Sequence, residues 1–484
     1  MTESELIATG YYAGLALFFS IVVIAGLGLM LQIDRFIGRW VAFFVVPAML
    51  LGTAVSSALS GRNLKYAFAN IENLAEVGAS SGTGVLRLIT ATVVGMCAAT
   101  VIATLFRQGR AMPADPRQPA PAGQWLFATF CAFYLCNAVF NSAFGTVPSF
   151  VHGLLYLPVT FAAVYLWRNA PVDTFVGLMK WALLVFMLGS LALAAAMPAL
   201  AIQAGYKSWV PGLSIRLWGL ASNPNSLGPL ALLLLLLEWM QPSSRHWLRW
   251  LTAGLGLLVL LMAQSKTAWA AGLAVLPVIA WYRFGRAPAG GMRIGFALSL
   301  IAGLLLLTGS LAFVDVGRAW DRIADTQIGT DVTTLTGRLQ IWAAAIEAWR
   351  QSPVFGYGPT AWGAMHRFAL GMPFAFSAHN QFLQSMSVAG TLGLLSLLAY
   401  LAVLGTYCWR AADATRGASA ALFLFVLLRC LTEAPFAPGS LFTGDAVTHL
   451  LLFRIALIGA KPRPVHQANW APWHAQFRKP TIHI

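Results

Sequence analysis

Six charged or titratable residues stand out in a chain otherwise poor in charge: Arg216, Lys266, Arg338, His379, Arg429 and Glu433. Arg216 lies in SIRLWGLASNPNSLG, just ahead of Asn223-Pro224-Asn225. That tripeptide is a turn-and-cap signal for a helix start, where free backbone N–H groups favour an anion. An arginine beside such an end can grip a phosphate bidentately, although a lone arginine at a helix end more commonly snorkels to the interface. Lys266 interrupts a long apolar stretch between Ser265 and Thr267. A cation there is costly unless it meets water or a counter-ion, and the plainer account is a hairpin tip that reaches the surface. Either way it falls on the same side as Arg216, and two cations beside a helix start make a diphosphate clamp. His379 sits where the chain re-enters the bilayer, with Asn380, Gln381 and Gln384 around it. Histidine as a residue type titrates near neutrality and suits general-base work. His366, inside the preceding loop, is the weaker rival. Arg429 and Glu433 in RCLTEAPF are spaced i, i+4, which allows them to neutralise each other. Ionisable residues within the membrane are also functional candidates in their own right.

The elements that position these groups are apolar. The chain has 484 residues, 58% hydrophobic and 10% charged, against roughly 25% charged in a soluble domain. Many charge-free windows of about 18 residues or more mark an all-α polytopic integral membrane protein; a barrel would show short alternating segments instead. About thirteen spans are predicted, given a need for ~20 residues each. They centre on residues 11–31, 41–59, 88–106, 125–144, 151–167, 175–196, 227–240, a hairpin within 250–281 folded at Lys266, 294–314, 382–407, 418–431 and 446–458. The net charge of +15 would suggest nucleic acid in a soluble protein. Here the basic residues gather in alternate short loops, as the positive-inside rule expects, and no nucleic-acid motif is present. Those loops are assigned to the cytoplasm, which puts Arg216, Lys266, the loop 315–380 and Glu433 outside. The acidic start (Glu3, Glu5) and the long first apolar run do not fit a cleavable signal. The five cysteines lack metal-ligand spacing and read as small buried hydrophobes. With no Walker loop, HExxH or DxD-type motif on the outer side, neither a metal nor another cofactor is expected.

The loop 315–380 is the longest stretch without a membrane-length apolar run. Within it, Arg338 opens the segment LQIWAAAIEAWRQ, in which Leu339, Trp342, Ala345, Ile346 and Trp349 follow helical spacing. An amphipathic helix ending at Ser352-Pro353 and lying on the membrane surface is predicted. The stretch PVFGYGPTAW then turns the chain back toward the bilayer.

RLWGLASNPNSLG, AQSKTAW, TGRLQIWAAAIEAWRQSPVFGYGPTAW, AHNQFLQSMSVAGTLGLLSLL and LTEAPF together resemble the O-antigen ligase / O-antigen polymerase superfamily, membrane glycosyltransferases of bacterial surface polysaccharide assembly. The resemblance covers about half the chain, from Arg216 to Glu433. It implies a ligase/polymerase-like domain over residues 200–460 with an extracytoplasmic loop at 315–380; the apolar runs and the basic loops add a transmembrane scaffold over 1–199 and a cytoplasmic basic tail at 461–484. It implies a polyprenyl-diphosphate-linked glycan, undecaprenyl in type, as donor, with the diphosphate held by Arg216 and Lys266. His379 falls on the position of the catalytic base, and Arg338, Arg429 and Glu433 on supporting positions. The acceptor would be another glycan, in a polymerase, or lipid A–core, in a ligase. Membrane lipids and other polysaccharide assembly proteins are the further partners implied, and the bacterial inner membrane, with the site facing the periplasm, is the implied location. The Ser-Lys-Thr motif at Lys266 looks more like exopolysaccharide polymerases than ligases, many of which have arginine there. A polysaccharide or lipid transporter is the competing class. It would be expected to show internal repeats with paired broken helices, and none is visible between the halves.

Overall fold

The computed structural model describes residues 43–64, 83–108, 123–206, 213–285, 338–373, 375–439 and 441–460, with isolated positions between 25 and 41 and at 294 and 298. The predicted span at 294–314, most of that at 11–31, the first part of the loop 315–380 and the tail 461–484 lie outside these residues. Among the described residues, six helices are long and apolar enough to cross a membrane, and four shorter apolar helices accompany them. The protein is an all-α polytopic membrane protein. In chain order the helices are α1 (Phe43–Ala58), α2 (Thr83–Gln108), α3 (Gln124–Phe144), α4 (His152–Leu166), α5 (Val172–Ala196), α6 (Pro224–Met240), α7 (His246–Ala263), α8 (Lys266–Ala280), α9 (Arg338–Gln351), α10 (Ala364–Ala369), α11 (Gln381–Ala411), α12 (Ala418–Cys430) and α13 (Gly444–Ala456).

Helix α6 is the central pillar. Its Leu-rich sequence is apolar on every face, and a helix of that kind belongs in the middle of a bundle. Leu230, Leu233 and Leu234 are fully buried, and α5, α7, α8, α12 and α13 all pack on it. The outer helices turn large apolar side chains outward, among them Leu88, Leu273 and Leu395, which is the surface a bilayer requires. A stack of aromatic side chains, including Phe130, Phe161, Tyr400 and Phe453, joins α3, α4, α11 and α13.

Between α5 and α6 the chain forms an antiparallel ribbon, β1 (Ile202–Ala204) against β2 (Ile215–Leu217), in which Gln203 pairs with Arg216. The ribbon docks on the tip between α7 and α8, where Gln264 Nε2 donates to the carbonyl oxygens of Ile215 and Leu213 at 2.6 and 3.3 Å. The fold at Lys266 falls as predicted: α7 ends at Ala263 and α8 starts at Lys266.

The predicted helix at 338–351 forms, but with a different buried face. Ile341, Ala345 and Ala348 are buried, whereas Leu339 is exposed. The reason is that α9 packs on α11, so small residues face the protein. Its two tryptophans are held by hydrogen bonds: Trp342 Nε1 donates to Ala378 O at 3.0 Å and Trp349 Nε1 to Thr391 Oγ1 at 3.1 Å.

Helix α11 is broken at Gly390, whose φ of 67° and ψ of −163° lie in a region open in practice only to glycine. The Gly/Pro turn after α9 fills the break. Tyr357 N and Gly358 N donate to the carbonyl oxygens of Ser387 and Val388, and Thr391 N donates to that of Pro353, at 2.8–3.0 Å. A Cβ at Gly390 would lie 2.3 Å from Val354 O, and one at Gly356 2.5 Å from Ala389 N. From the other side, Asn137 Nδ2 donates to Gly393 O at 3.0 Å, out of the π-helical turn Leu135–Phe140 of α3. Gly390→Ala therefore combines a forbidden backbone region with a backbone clash, and a loss of about 1–3 kcal/mol or more is expected. It is checked by the thermal midpoint of the detergent-purified protein, which should fall by several degrees; a midpoint equal to wild type would mean that the break is not needed.

Candidate active site

Four helix ends meet at one end of the bundle: the starts of α6, α9 and α11 and the loop after α12. Caps fix the starts of α6 and α11 there. Asn223 caps α6, its Oδ1 accepting from Ser226 N at 2.9 Å, with Pro224 in the first turn. Asn380 caps α11, accepting from Phe382 N and Leu383 N at 3.0 and 3.1 Å. Thr443 caps α13 in the same way. The loop after α12 is tied to α11 by Phe436 N, which donates to Gln381 Oε1 at 2.7 Å.

Glu433 is the hub of the charged groups. It is buried, and its carboxylate accepts from three sides. His379 Nδ1 lies 3.0 Å from Oε2; Arg338 Nη2 and Asn225 Nδ2 lie 3.3 and 3.0 Å from Oε1. Asn225 in turn accepts on its Oδ1 from Arg216 Nη2 at 2.9 Å, so one hydrogen-bonded chain runs from Arg216 through Asn225 and Glu433 to His379. Burial by itself would raise the Glu433 carboxyl pKa; the hydrogen bond and charge of His379, then the charges of Arg338 and Arg429, more than offset it and hold it below the usual range.

Arg216 is fixed on three sides. Its Nε donates to Ala263 O at 3.1 Å and its guanidinium lies 4.7 Å from the Tyr206 ring centroid. Burial lowers its pKa, and Tyr206 and Glu433 pull it back up. Lys266 opens α8 three residues beyond Ala263, so the α7–α8 tip brings both cations to one end of the bundle. Lys266 stands at a helix N-terminus, where unbonded N–H groups add to the pull on an anion.

His379 has a φ of 47°, the left-handed region that non-glycine residues seldom occupy. It is held there by its neighbours. Trp342 binds the carbonyl of Ala378, Ala378 N donates to Gln384 Oε1 at 2.8 Å, and Asn380 starts α11. The imidazole is thereby aimed at Glu433 instead of being buried in the helix, and its side chain retains 28% exposure. His366 takes no part: it stacks on Tyr357 with ring centroids 4.1 Å apart, and burial lowers its pKa.

The expected neutralisation of Arg429 by Glu433 is not a direct ion pair. Arg429 is fully buried and its Nη1 pairs with Asp445 Oδ1, while Nη2 donates to Asn225 O at 3.1 Å. Glu433 instead faces Arg338 of α9 and His379 just before α11. Asn225 and Asp445 are the residues that sequence reasoning missed. Asn225 was noted only as part of a turn, and Asp445 only had the weak signal of an acid in a capped first turn. Arg62 is a third. From the loop after α1 its guanidinium donates to the carbonyl oxygens of Leu200, Ala221 and Gly219, clamping both flanks of the ribbon that carries Arg216. Burial lowers its pKa to about 10.

A buried acid, a partly exposed histidine and nearby cations thus meet at one end of a multi-pass helical bundle. Residues 251–398 match the family model described as O-Antigen ligase, which supports the O-antigen ligase/polymerase superfamily. No curated protein sequence matches it. The matched region holds Lys266, Arg338 and His379; Arg216, Asn225, Arg429 and Glu433 lie outside it.

Because the folded-state pKa of Glu433 is lowered, its contribution to stability is complete above the ordinary glutamate pKa and is lost as pH falls below it. The wild-type thermal midpoint should thus drop on acidification through that range. Glu433→Gln should be less stable than wild type at neutral pH and should show a shallower acid fall. Parallel midpoint–pH curves for the two proteins would show that the carboxylate is not held ionised by its neighbours.

Proposed function

We propose that this enzyme transfers a glycan from a polyprenyl diphosphate to an acceptor sugar hydroxyl. His379 is the base and Arg216 and Lys266 hold the diphosphate. The observation that carries this reading is the 3.0 Å hydrogen bond between His379 Nδ1 and Glu433 Oε2. An ionised carboxylate can only accept, so Nδ1 carries the proton; in the neutral imidazole, the form that acts as base, Nε2 then keeps its lone pair for the acceptor hydroxyl. The acceptor oxygen gives its proton to Nε2 and bonds to the anomeric carbon. The bond from that carbon to the diphosphate oxygen breaks, and the electron pair leaves with the polyprenyl diphosphate. Arg216 and Lys266 stabilise the charge that develops on it, and Glu433 stabilises the imidazolium, as the acid of a catalytic triad does. The donor is already activated, and the step is written without a nucleotide or metal.

The basic character of the loops at the other end of the bundle supports a periplasmic site in an inner-membrane protein. The acceptor that the Ser-Lys-Thr motif favours is another lipid-linked repeat, which makes a polysaccharide polymerase. The alternative is a ligase to lipid A–core, with the same residue roles and a different acceptor.

In cells carrying the polysaccharide cluster, His379→Ala should lower polymer formation by about 10²–10⁴-fold, and Arg216→Ala by about 10²–10³-fold. Arg216→Lys should recover part of the loss. The readout is chain-length distribution on gels at matched protein level. Full-length polymer from His379→Ala at normal abundance would remove His379 from the base role. Deletion of the gene separates the two acceptors: single repeats on lipid A–core point to a polymerase, and long polymer left on the carrier to a ligase.

A further inference from the structure

Helices α7, α8 and α12 each touch the site with one end. Their other ends, roughly 27 Å away for an 18-residue helix, bring three arginines together from three separate elements. Arg249 lies in the first turn of α7, Arg283 in the π-helical turn Trp281–Gly285 that follows α8, and Arg416 in the turn between α11 and α12. The turn is pinned in place. Trp239 Nε1, at the end of α6, donates to Arg416 O at 3.1 Å. Gly417 is packed so closely on Tyr282 that an added Cβ would lie 2.5 Å from its ring. Arg416 itself has a φ of 54°, a conformation that glycine would adopt more easily at a helix C-terminus. After burial, the charges of Arg249 and Arg283 both lower its pKa: three like charges are held within range of one another. Among the described residues neither Arg249 nor Arg283 has an ion-pair partner. Beside them, Trp250 and Trp281 are exposed at 74% and 47%, and tryptophans of this kind sit at headgroup level in a bilayer.

Scattered basic residues suffice to orient a membrane protein. Positioning loops only need positive charge, and charges that repel are more stable apart. A fold that gathers three arginines from three elements, two of them without an ion-pair partner among the described residues, suits an anion that bridges several guanidinium groups at once. We propose that this end of the bundle is a binding site for a phospholipid headgroup carrying more than one phosphate charge, with its acyl chains lying along Trp250 and Trp281. Guanidinium forks match phosphate geometry, and basic pockets between transmembrane helices take lipids of this class. The site is distinct from the Glu433 site and does not depend on what that site catalyses.

The full-length protein in nanodiscs of phosphatidylcholine, with and without a minority of cardiolipin, provides the test. Native mass spectrometry should show retained cardiolipin on the wild type. Arg249→Gln and Arg283→Gln should each reduce it about fivefold, the factor expected for one basic residue at an anionic surface. The double variant should lose more than either. Arg245→Gln, at the same end but outside the trio, should retain cardiolipin like the wild type. Removing a repelled charge is not expected to unfold the protein, and the single variants report even if the double one aggregates. Equal retention in wild type and variants would overturn the proposal, as would an equal loss in Arg245→Gln. So would pyrophosphate raising the thermal midpoint of phosphatidylcholine discs through the same arginines while cardiolipin does not, since the site would then take a soluble anion.

Discussion

A single buried carboxylate is the constraint on which the rest of the site depends. Taking a carboxylate out of water costs several kcal/mol after relaxation, and only well-placed donors offset that. Glu433 has three, from Asn225 of α6, Arg338 of α9 and His379, two residues before α11. Each donor comes from a helix end, and each helix end is fixed by its own cap or by a bond to the loop after α12. The electrostatic requirement of one acid thus sets where four elements must meet. Removing one partner would leave the others holding an unpaired charge, so these contacts act as a unit.

Asn225 gives that unit its reach. A carboxamide donates at one end and accepts at the other, and here it connects the anionic centre at Glu433 with the cationic grip at Arg216. Direct pairing of Arg216 with Glu433 would neutralise both. The amide between them leaves Arg216 polarised but available to a further anion, and leaves Glu433 committed to His379. Arg429 supports the same residue from below through the carbonyl of Asn225, and its own charge is taken up by Asp445. Arg62 does comparable work for the ribbon, using only carbonyl oxygens.

Much of this was legible in the sequence because a bilayer leaves few choices. Helices must span with internal hydrogen bonds, so apolar runs mark α2 through α8 and α11 closely, and the break at Lys266 follows from length alone. Charged residues in such a chain are few and therefore conspicuous, and five of the six chosen from the sequence lie in or against the Glu433 network, with Lys266 at its side. What was not legible depends on packing at a distance. The apolar face of α9 was read from periodicity, but the small residues Ala345 and Ala348 face α11 because two backbones approach closely there. Asn225 looked like one more turn residue, since nothing local says that its side chain will meet a glutamate 208 positions later. The left-handed His379 carries no signal of its own either; it results from Trp342 and Asn380 holding both sides.

The family-matched region, 251–398, contains His379 and Lys266 but neither Glu433, hydrogen-bonded to the histidine, nor Arg216, which joins Glu433 through Asn225. Those come from the ribbon between α5 and α6 and from the loop after α12, both joined through Asn225 to α6, the central helix of the bundle. Chemistry and scaffold are therefore not separable here. The break in α11 makes the same point. It allows the turn at 353–358 to lie against the helix, which brings α9, and with it Arg338 and Trp342, over the start of α11. Without that approach His379 would lose the bond that holds Ala378, and Glu433 would lose Arg338. A backbone conformation eleven residues from the histidine is thus part of how the histidine is aimed, and the two glycines that permit it belong to the site as much as the charges do.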